Sequence, residues 1–470
     1  MIKNSNTTSE PVLDRYVTQY IDFYKEHKEL CHADSPEVMN LQREKALAIL
    51  QEQGLPKSFS EDYKRFDVQA ILEKDWGIKL FPIKNKQNPY CSCRCSIGEI
   101  APLRFYMHDD EVYTISQEER STPDGSYAEA LSKGVFIGSV ADFSKKYPEL
   151  LEQYYGKIAD MKRNTLAALN TLFAKDAFVV YVPKGVVLEQ TIQLIMLSGG
   201  YENALISSRI LVIVEDEAKA SLLICDHSIA DSSSVNNALL EAYVGASSSF
   251  TLYDMEETHE DHIRISNAHY HLAKDAKAKV CPLTLTNGKT RNNIYGYLEG
   301  EYASFTASGL VVLDGNKRAD NYVWVNHSVP HCHSDQLFKY TMDDKAVGSF
   351  TGRIYVAKDA QKTQAYQNNR GLNLSGKGIM YSKPQLEIYA DDVKCSHGMT
   401  VGQIDDGAIF YMRQRGIPYM EAKMLLTIAF MADVLEYIDL EPLRDKLQDL
   451  LEQRYRGGNS FCHNRRTLVE

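Results

Sequence analysis

From about residue 175 to residue 400 the chain shows no helical periodicity, and what replaces it restricts the fold more than any other feature of the sequence. Short β-branched or aromatic runs, Phe178-Val179-Val180-Tyr181-Val182, Ile210-Leu211-Val212-Ile213-Val214 and Leu386-Glu387-Ile388-Tyr389, are punctuated by Gly, Asp and Asn, the mark of strands joined by tight turns. Turn-like segments begin at Glu215, Val244, Ala273 and Glu299, at steps of 29, 29 and 26 residues, and continue less regularly at Met342 and Ser375, at steps of 43 and 33. A period of this size in an all-strand segment is the signature of a stacked β-solenoid. Ala218, Ala246, Ala276 and Ala303 recur at matching places and suit inward stacking positions. A sandwich or barrel with turns of similar spacing is the competing architecture.

Helical spacing frames this segment on both sides. Leu13, Tyr16, Val17, Tyr20, Ile21 and Tyr24 form one apolar stripe. Ser35-Pro36 is placed to cap a second helix that stops at Gly54-Leu55-Pro56, and apolar spacing predicts helix from Pro148 to about Phe173. Beyond Asp405-Asp406 the period is helical again, with one helix ending at Gly416, one from Pro418 through Ile438 and one carrying Leu443, Leu447, Leu450, Leu451 and Tyr455 before Gly457-Gly458. The expected organisation is an N-terminal helical and mixed domain over 1–172, a strand core over 173–400, a helical module over 401–456 and a flexible tail over 457–470. Truncation near residue 400 is expected to leave the core folded.

The 470 residues carry a formal net charge of −11 and no long Lys/Arg block, which argues against a nucleic-acid partner. No apolar run approaches the roughly 18 residues of a membrane span, and Met1–Glu10 lacks the apolar stretch of a secretion signal, so a cytoplasmic protein is expected. Nine cysteines in such a chain point to reduced thiols rather than a disulfide framework.

Four constellations could carry chemistry. Gly371–Gly378 approaches a phosphate-binding loop, but Gly378 stands where a hydroxyl must hold Mg²⁺ and strand follows where a helix is needed, so ATP hydrolysis is not expected. Cys91, Cys93 and Cys95 would share one face of a strand; their spacing does not wrap an ion, and packing is the favoured account. His327, His331, Cys332 and His333, with His259, His262, His269 and His271, supply soft ligands without a recognised spacing, and stacking or backbone hydrogen bonds are favoured there. In Asp391–Gly398, Cys395 and His397 share a face if extended, Lys394 is placed to lower the thiol pKa, and Gly398 to let another backbone approach. Two soft ligands are too few for a closed metal site, so for metal or a cluster the remaining ligands must come from elsewhere, and on chemistry alone a simply packed Cys395 is the favoured account.

The segments Phe350–Val356, Asp359–Thr363, Tyr366–Arg370 and Lys383–Gly398 resemble the signature of the SufB/SufD family of iron-sulfur cluster assembly proteins. The resemblance extends through Tyr181–Val186, His331-Cys332, Ser334 and Gln336–Lys339, and more loosely through Gly54-Leu55-Pro56 and Glu61–Lys64. It covers residues 160–455 well and the first 150 poorly, and Cys91, Cys93 and Cys95 have no counterpart in it. Cys-Ser-His-Gly at 395–398 is similar to the SufD branch.

The resemblance implies a mainly β fold, a right-handed parallel β-helix between helical regions. It implies a non-catalytic scaffold that pairs with SufB through the β-helices, or with a second copy where SufB is absent, and that docks the ABC ATPase SufC on the helical module at about 401–456. It further implies that a transient iron-sulfur cluster or iron is held at the SufB interface, with His397 and then Cys395 as contributors. A stand-alone His/Cys metal-binding protein and a β-helical carbohydrate-active enzyme are the alternatives.

Overall fold

A computed structural model of the chain describes residues 14–79, 103–112, 126–199, 203–228 and 233–456. From Arg209 onward, strands alternate between two sheets, and from Lys219–Ser228 through Gln364–Asn373 every strand pairs in parallel with the strand one coil earlier and the strand one coil later. This is a two-sided β-solenoid. Its register sets the repeat: on the first sheet Ser234 pairs with His262, Lys289 with Arg318 and Arg318 with Val347. On the second, Ser249 pairs with Lys277, Ser304 with His333 and His333 with Gln364.

One corner explains the period. Glu217, Ser247, Asp275, Tyr302, His331 and Lys362 all have positive φ, at steps of 30, 28, 27, 29 and 31 residues. Each turns the chain from the first sheet into the second. The long step expected between Glu299 and Met342 is therefore an artefact of changing corners. Met342 and Ser375 belong to the opposite corner, where Gly315, Asp344 and Gly376 hold positive φ, whereas the coil after Glu299 turns at His331.

The small-residue column is also corrected in one place. Ala218, Ala276 and Ala303 are buried as expected, but the position between the first two is filled by Ser248, whose Oγ donates to the Gly245 carbonyl, and Ala246 lies outside the column. Continuing the register, the next coil places Cys332 there, 1% exposed. The interior between the sheets is apolar along this corner, with Val212, Leu222, Leu252, Tyr270, Val280 and Phe305 in one cluster.

The N-terminal helices form where periodicity placed them. Arg15–Glu26 buries Tyr16, Val17, Tyr20, Ile21 and Tyr24, and Glu37–Gln53 ends at Gly54 with φ 70°. Ser35 does not cap that helix; its Oγ accepts from Arg43 Nη2 at 3.1 Å. The single helix expected from Pro148 to Phe173 is two, Pro148–Tyr154 and Thr165–Phe173. Gly156 at φ 68° breaks it, and the carboxylate of Glu241, fully buried on the solenoid, accepts the amides of Gly156, Ile158 and Ala159 at 3.1, 3.1 and 3.0 Å. Those three bonds outcompete a continued helix because they also pin the segment to the sheet.

The first end of the solenoid is closed by this N-terminal region. Phe136–Ser139 pairs antiparallel with Phe178–Val182, and Leu103–His108 adds in parallel to Ile192–Ser198. At the C-terminus, Asp406–Gln414, Tyr419–Leu435 and Glu441–Tyr455 are helical, with Asp405 capping the first through the Gly407 amide. The latter two lie on the outside of the second sheet. Met431, Val434, Ile438, Leu443 and Leu447 share one core with Leu223, Tyr253, Met255, Cys281 and Leu310. The helical module is thus not separable at residue 400, which falls inside the strand Lys394–Gln403. No helix among the described residues is long and apolar enough to cross a membrane.

Candidate functional site

The last coil is unlike those before it. Ile379–Ile388 on the first sheet and Lys394–Gln403 on the second each pair with the preceding coil, and among the described residues neither has a neighbour on its outer side. Two ten-residue strands therefore offer unpaired backbone N–H and C=O groups, the condition under which another chain can add to a sheet. Ile379, Met399 and Val401 are 47%, 49% and 45% exposed there. Apolar side chains at such an edge belong to a surface that is to be covered.

Register fixes which residues of Lys394–Gln403 face inward. Cys395 stacks on Ala365, His397 on Gln367, Met399 on Asn369 and Val401 on Gly371. Cys395 and His397 do share a face, as alternation predicts, roughly 7 Å apart along the strand. His397 is exposed, whereas Cys395 is half-buried against the cluster of Ile354, Val356, Ala360, Ala365 and Ala390. The thiol is not activated as expected: burial raises its pKa, only partly offset by the Ala365 backbone, and Lys394 points to the other face. Gly398 does admit a close neighbour, but it is a side chain: a Cβ there would lie 2.7 Å from Asn368 Oδ1.

Beneath His397 the interior turns polar. Gln367 and, one coil deeper, Gln336 are 1% and 0% exposed, and neither the amide oxygen nor the nitrogen of either has a hydrogen-bond partner. Asn369 donates to Ser382 Oγ at 2.8 Å across the interior. Gln336, Gln367 and Asn369 fall in the family-like segments, where nothing in the sequence gives them a role beyond two inward-facing glutamines one repeat apart. The arrangement provides an exposed imidazole and a half-buried thiol on the end layer of a polar interior, beside two open sheet edges.

The outer side of this end is tied to the N-terminal region. Lys383 pairs with Glu61, Arg353 Nη2 lies 3.8 Å from Asp62 Oδ1, and the Arg65 guanidinium lies 3.6 Å from the Tyr381 ring centroid. A second exposed surface lies on the C-terminal helices, where Phe410, Tyr411, Tyr419 and Met420 are 63%, 58%, 51% and 65% exposed.

The remaining constellations are dispersed. Gly371–Gly378 runs from one strand through a corner into the next, with no helix after it. His327 bonds Ser334 Oγ at 2.9 Å, His331 stacks on Tyr302, Cys332 lies in the corner column and His333 tilts against Tyr366. His262 meets Ser234 at 2.8 Å, His269 stacks on Tyr295 and His271 meets Glu299 at 2.7 Å. Among the described residues no group of three or more His, Cys, Asp or Glu could hold a metal ion. Cys91, Cys93 and Cys95 lie outside the described residues.

Comparison with known proteins gives two family matches. The SUF system FeS cluster assembly SufBD core domain matches residues 196–430, and the SufBD protein N-terminal region matches residues 15–194. The second extends the likeness over the part of the chain where the sequence motifs were sparse. An iron-sulfur cluster assembly SufBD family protein of Synechocystis is 28% identical over 342 residues, 71% of this chain and 75% of that one. The iron-sulfur cluster assembly protein SufD of Escherichia coli is 39% identical over 187 residues, 40% of this chain and 44% of that one. SufD of Bacillus subtilis is 23% identical over 427 residues, 85% of this chain and 96% of that one.

Proposed function

The chain belongs to the SufBD family of iron-sulfur cluster assembly proteins, and from that premise we propose that it is the SufD-type, non-catalytic scaffold subunit of a complex with a SufB-like paralogue and a SufC-like ABC ATPase. The observation that carries this reading is the open last coil. Its two unpaired strands give the paralogue an edge to continue, and the inward layer it would cover holds His397 and Cys395. Each contributes one soft ligand to iron or to a nascent cluster, and the partner completes the set, which suits cargo that must leave again. The exposed aromatic and methionine side chains of the C-terminal helices are the surface for the ATPase, since a cluster of exposed apolar side chains marks a face to be covered.

Co-purification of the tagged chain from its native cell should recover an ABC ATPase and a SufB-like protein. In that complex His397→Ala should lose most anaerobic cluster loading, read as visible sulfur-to-iron absorbance and acid-labile sulfide, with Cys395→Ala weaker. His397 is exposed, so its removal should cost under about 0.5 kcal/mol of stability. Full cluster content in an intact His397→Ala complex would return the residue to an ordinary surface role.

A further inference from the structure

On the outer side of the first sheet, two coils back from the last one, a cleft of about 420 Å³ lies between the Glu61–Tyr63 turn, the 160–163 loop and the strands of Arg291 and Tyr322. That volume lies within the range of small-molecule sites, roughly 300–1,000 Å³. Arg291 forms its floor and is 1% exposed. Its Nε donates to Asn293 Oδ1 at 2.7 Å and its Nη1 pairs with Asp320, while the guanidinium carbon lies 4.6 Å from the Tyr63 ring centroid and 5.3 Å from that of Tyr322. Nη2 is buried and has no partner. An unmade hydrogen bond on a buried cation costs on the order of 1–3 kcal/mol, so a group that completes it is strongly favoured.

The same cleft contains the opposite deficiency. Asp62 Oδ1 is buried without a hydrogen-bond partner, and its nearest cation, Arg353 Nη2, is 3.8 Å away. Asp160, the other carboxylate in the lining, is already engaged, accepting the amides of Lys162 and Arg163 at 3.1 and 3.2 Å. One buried cationic donor and one buried anionic acceptor, both without a hydrogen-bond partner, thus belong to residues that line a single cleft with tyrosine rings beside them. Lys162, Arg163 and Arg291 against Asp62 and Asp160 leave the lining at +1, too little for a polyphosphate that would also face two carboxylates.

We propose that this cleft binds a free α-amino acid as its zwitterion, the carboxylate on Arg291 Nη2, the ammonium on Asp62 and the side chain against the Tyr295 and Tyr322 rings. The site is independent of the cluster-assembly reading, because it lies on the outer face of the sheet and uses none of the residues of the last coil.

The test is calorimetric titration of the full chain with each of the common L-amino acids, alongside matched carboxylic acids lacking the ammonium and amines lacking the carboxylate. One class of amino acid, with a planar side chain, should bind at one site with a Kd of about 1 mM or tighter, and both truncated analogues should bind at least roughly tenfold more weakly. Asp62 lies on a short surface turn and makes no hydrogen bond through Oδ1, so Asp62→Asn should fold normally and lose affinity roughly tenfold for the zwitterion only. Absence of heat for every amino acid at about 10 mM, or equal affinity in Asp62→Asn, would overturn the proposal. So would a crystal soaked with the amino acid in which only water bridges Asp62 and Arg291.

Discussion

Glu241→Ala should detach the N-terminal region from the solenoid at a cost that can be worked from the contacts. Glu241 is fully buried, accepts three backbone amides from 156–159 and pairs with Arg209, which is also fully buried. Removing one partner of a buried pair costs about 3–5 kcal/mol, because the other charge is stranded. Arg209 keeps Thr171 Oγ1 at 2.7 Å and the Tyr155 ring at 4.2 Å, which argues for the lower part of that range. Of the three amides, those of Gly156 and Ile158 are partly accessible to water, while that of Ala159 is buried and forfeits a further 1–3 kcal/mol or so. The expected loss is about 4–7 kcal/mol. The chain has two tryptophans, Trp76 in the N-terminal region and Trp324 on the solenoid, so single-tryptophan versions report the two parts separately in urea. In Glu241→Ala the Trp76 transition should move to much lower urea than that of Trp324, and Arg209→Met added to it should restore part of the loss. A loss under about 1 kcal/mol with coincident transitions would refute the reasoning.

Burial holds His327 neutral in the folded chain, with its pKa lowered from 6.5 to about 3. Below pH 6.5 the unfolded chain takes up a proton that the folded chain refuses, so this stability is complete above about 6.5 and is lost as pH falls toward 3. His327→Gln should therefore gain about 2 kcal/mol on the unsubstituted chain between pH 7 and pH 5 in denaturation series; a constant gap would count against a neutral buried imidazole. Truncation after residue 404 should give an aggregating product rather than a folded solenoid, because it uncovers Leu223, Tyr253, Met255 and Leu310; a monodisperse product by size exclusion would contradict the shared core. Gln336→Met should raise the stability of the isolated chain by about 1 kcal/mol, since two unpartnered amide atoms are exchanged for apolar volume; a lower melting temperature would mean the amide has a partner there.

Most of the solenoid was legible because its signal is periodic: turn residues and small side chains at a fixed step survive without knowledge of contacts. What was misread required knowing which of two corners a turn belongs to. Met342 and Glu299 look alike in sequence, yet they turn the chain in opposite corners. The break at Gly156 was invisible for another reason: the residue that stabilises it, Glu241, is 85 positions away. Cys395 and His397 were placed on one face by alternation alone, which register bears out. A packed Cys395 was the favoured account on chemistry alone and agrees with its half-buried place; the suggested lowering of its pKa fails because Lys394 is adjacent in sequence but directed away. The cleft at Arg291 had no sequence signal at all, being built from four segments that the fold alone brings together.

The two ends of the solenoid are chemically unequal, and that inequality limits stoichiometry. At the first end the outermost strands among the described residues are the four-residue Phe136–Ser139, running antiparallel, and the two-residue Glu111–Val112, edges too short to template a further chain. At the other, two ten-residue edges are available. A rod with one receptive tip can join only tip to tip, and once joined it presents no second receptive tip. Among the described edges, strand addition along the axis therefore closes at two protomers, and it is edge length rather than charge that disfavours growth into fibres.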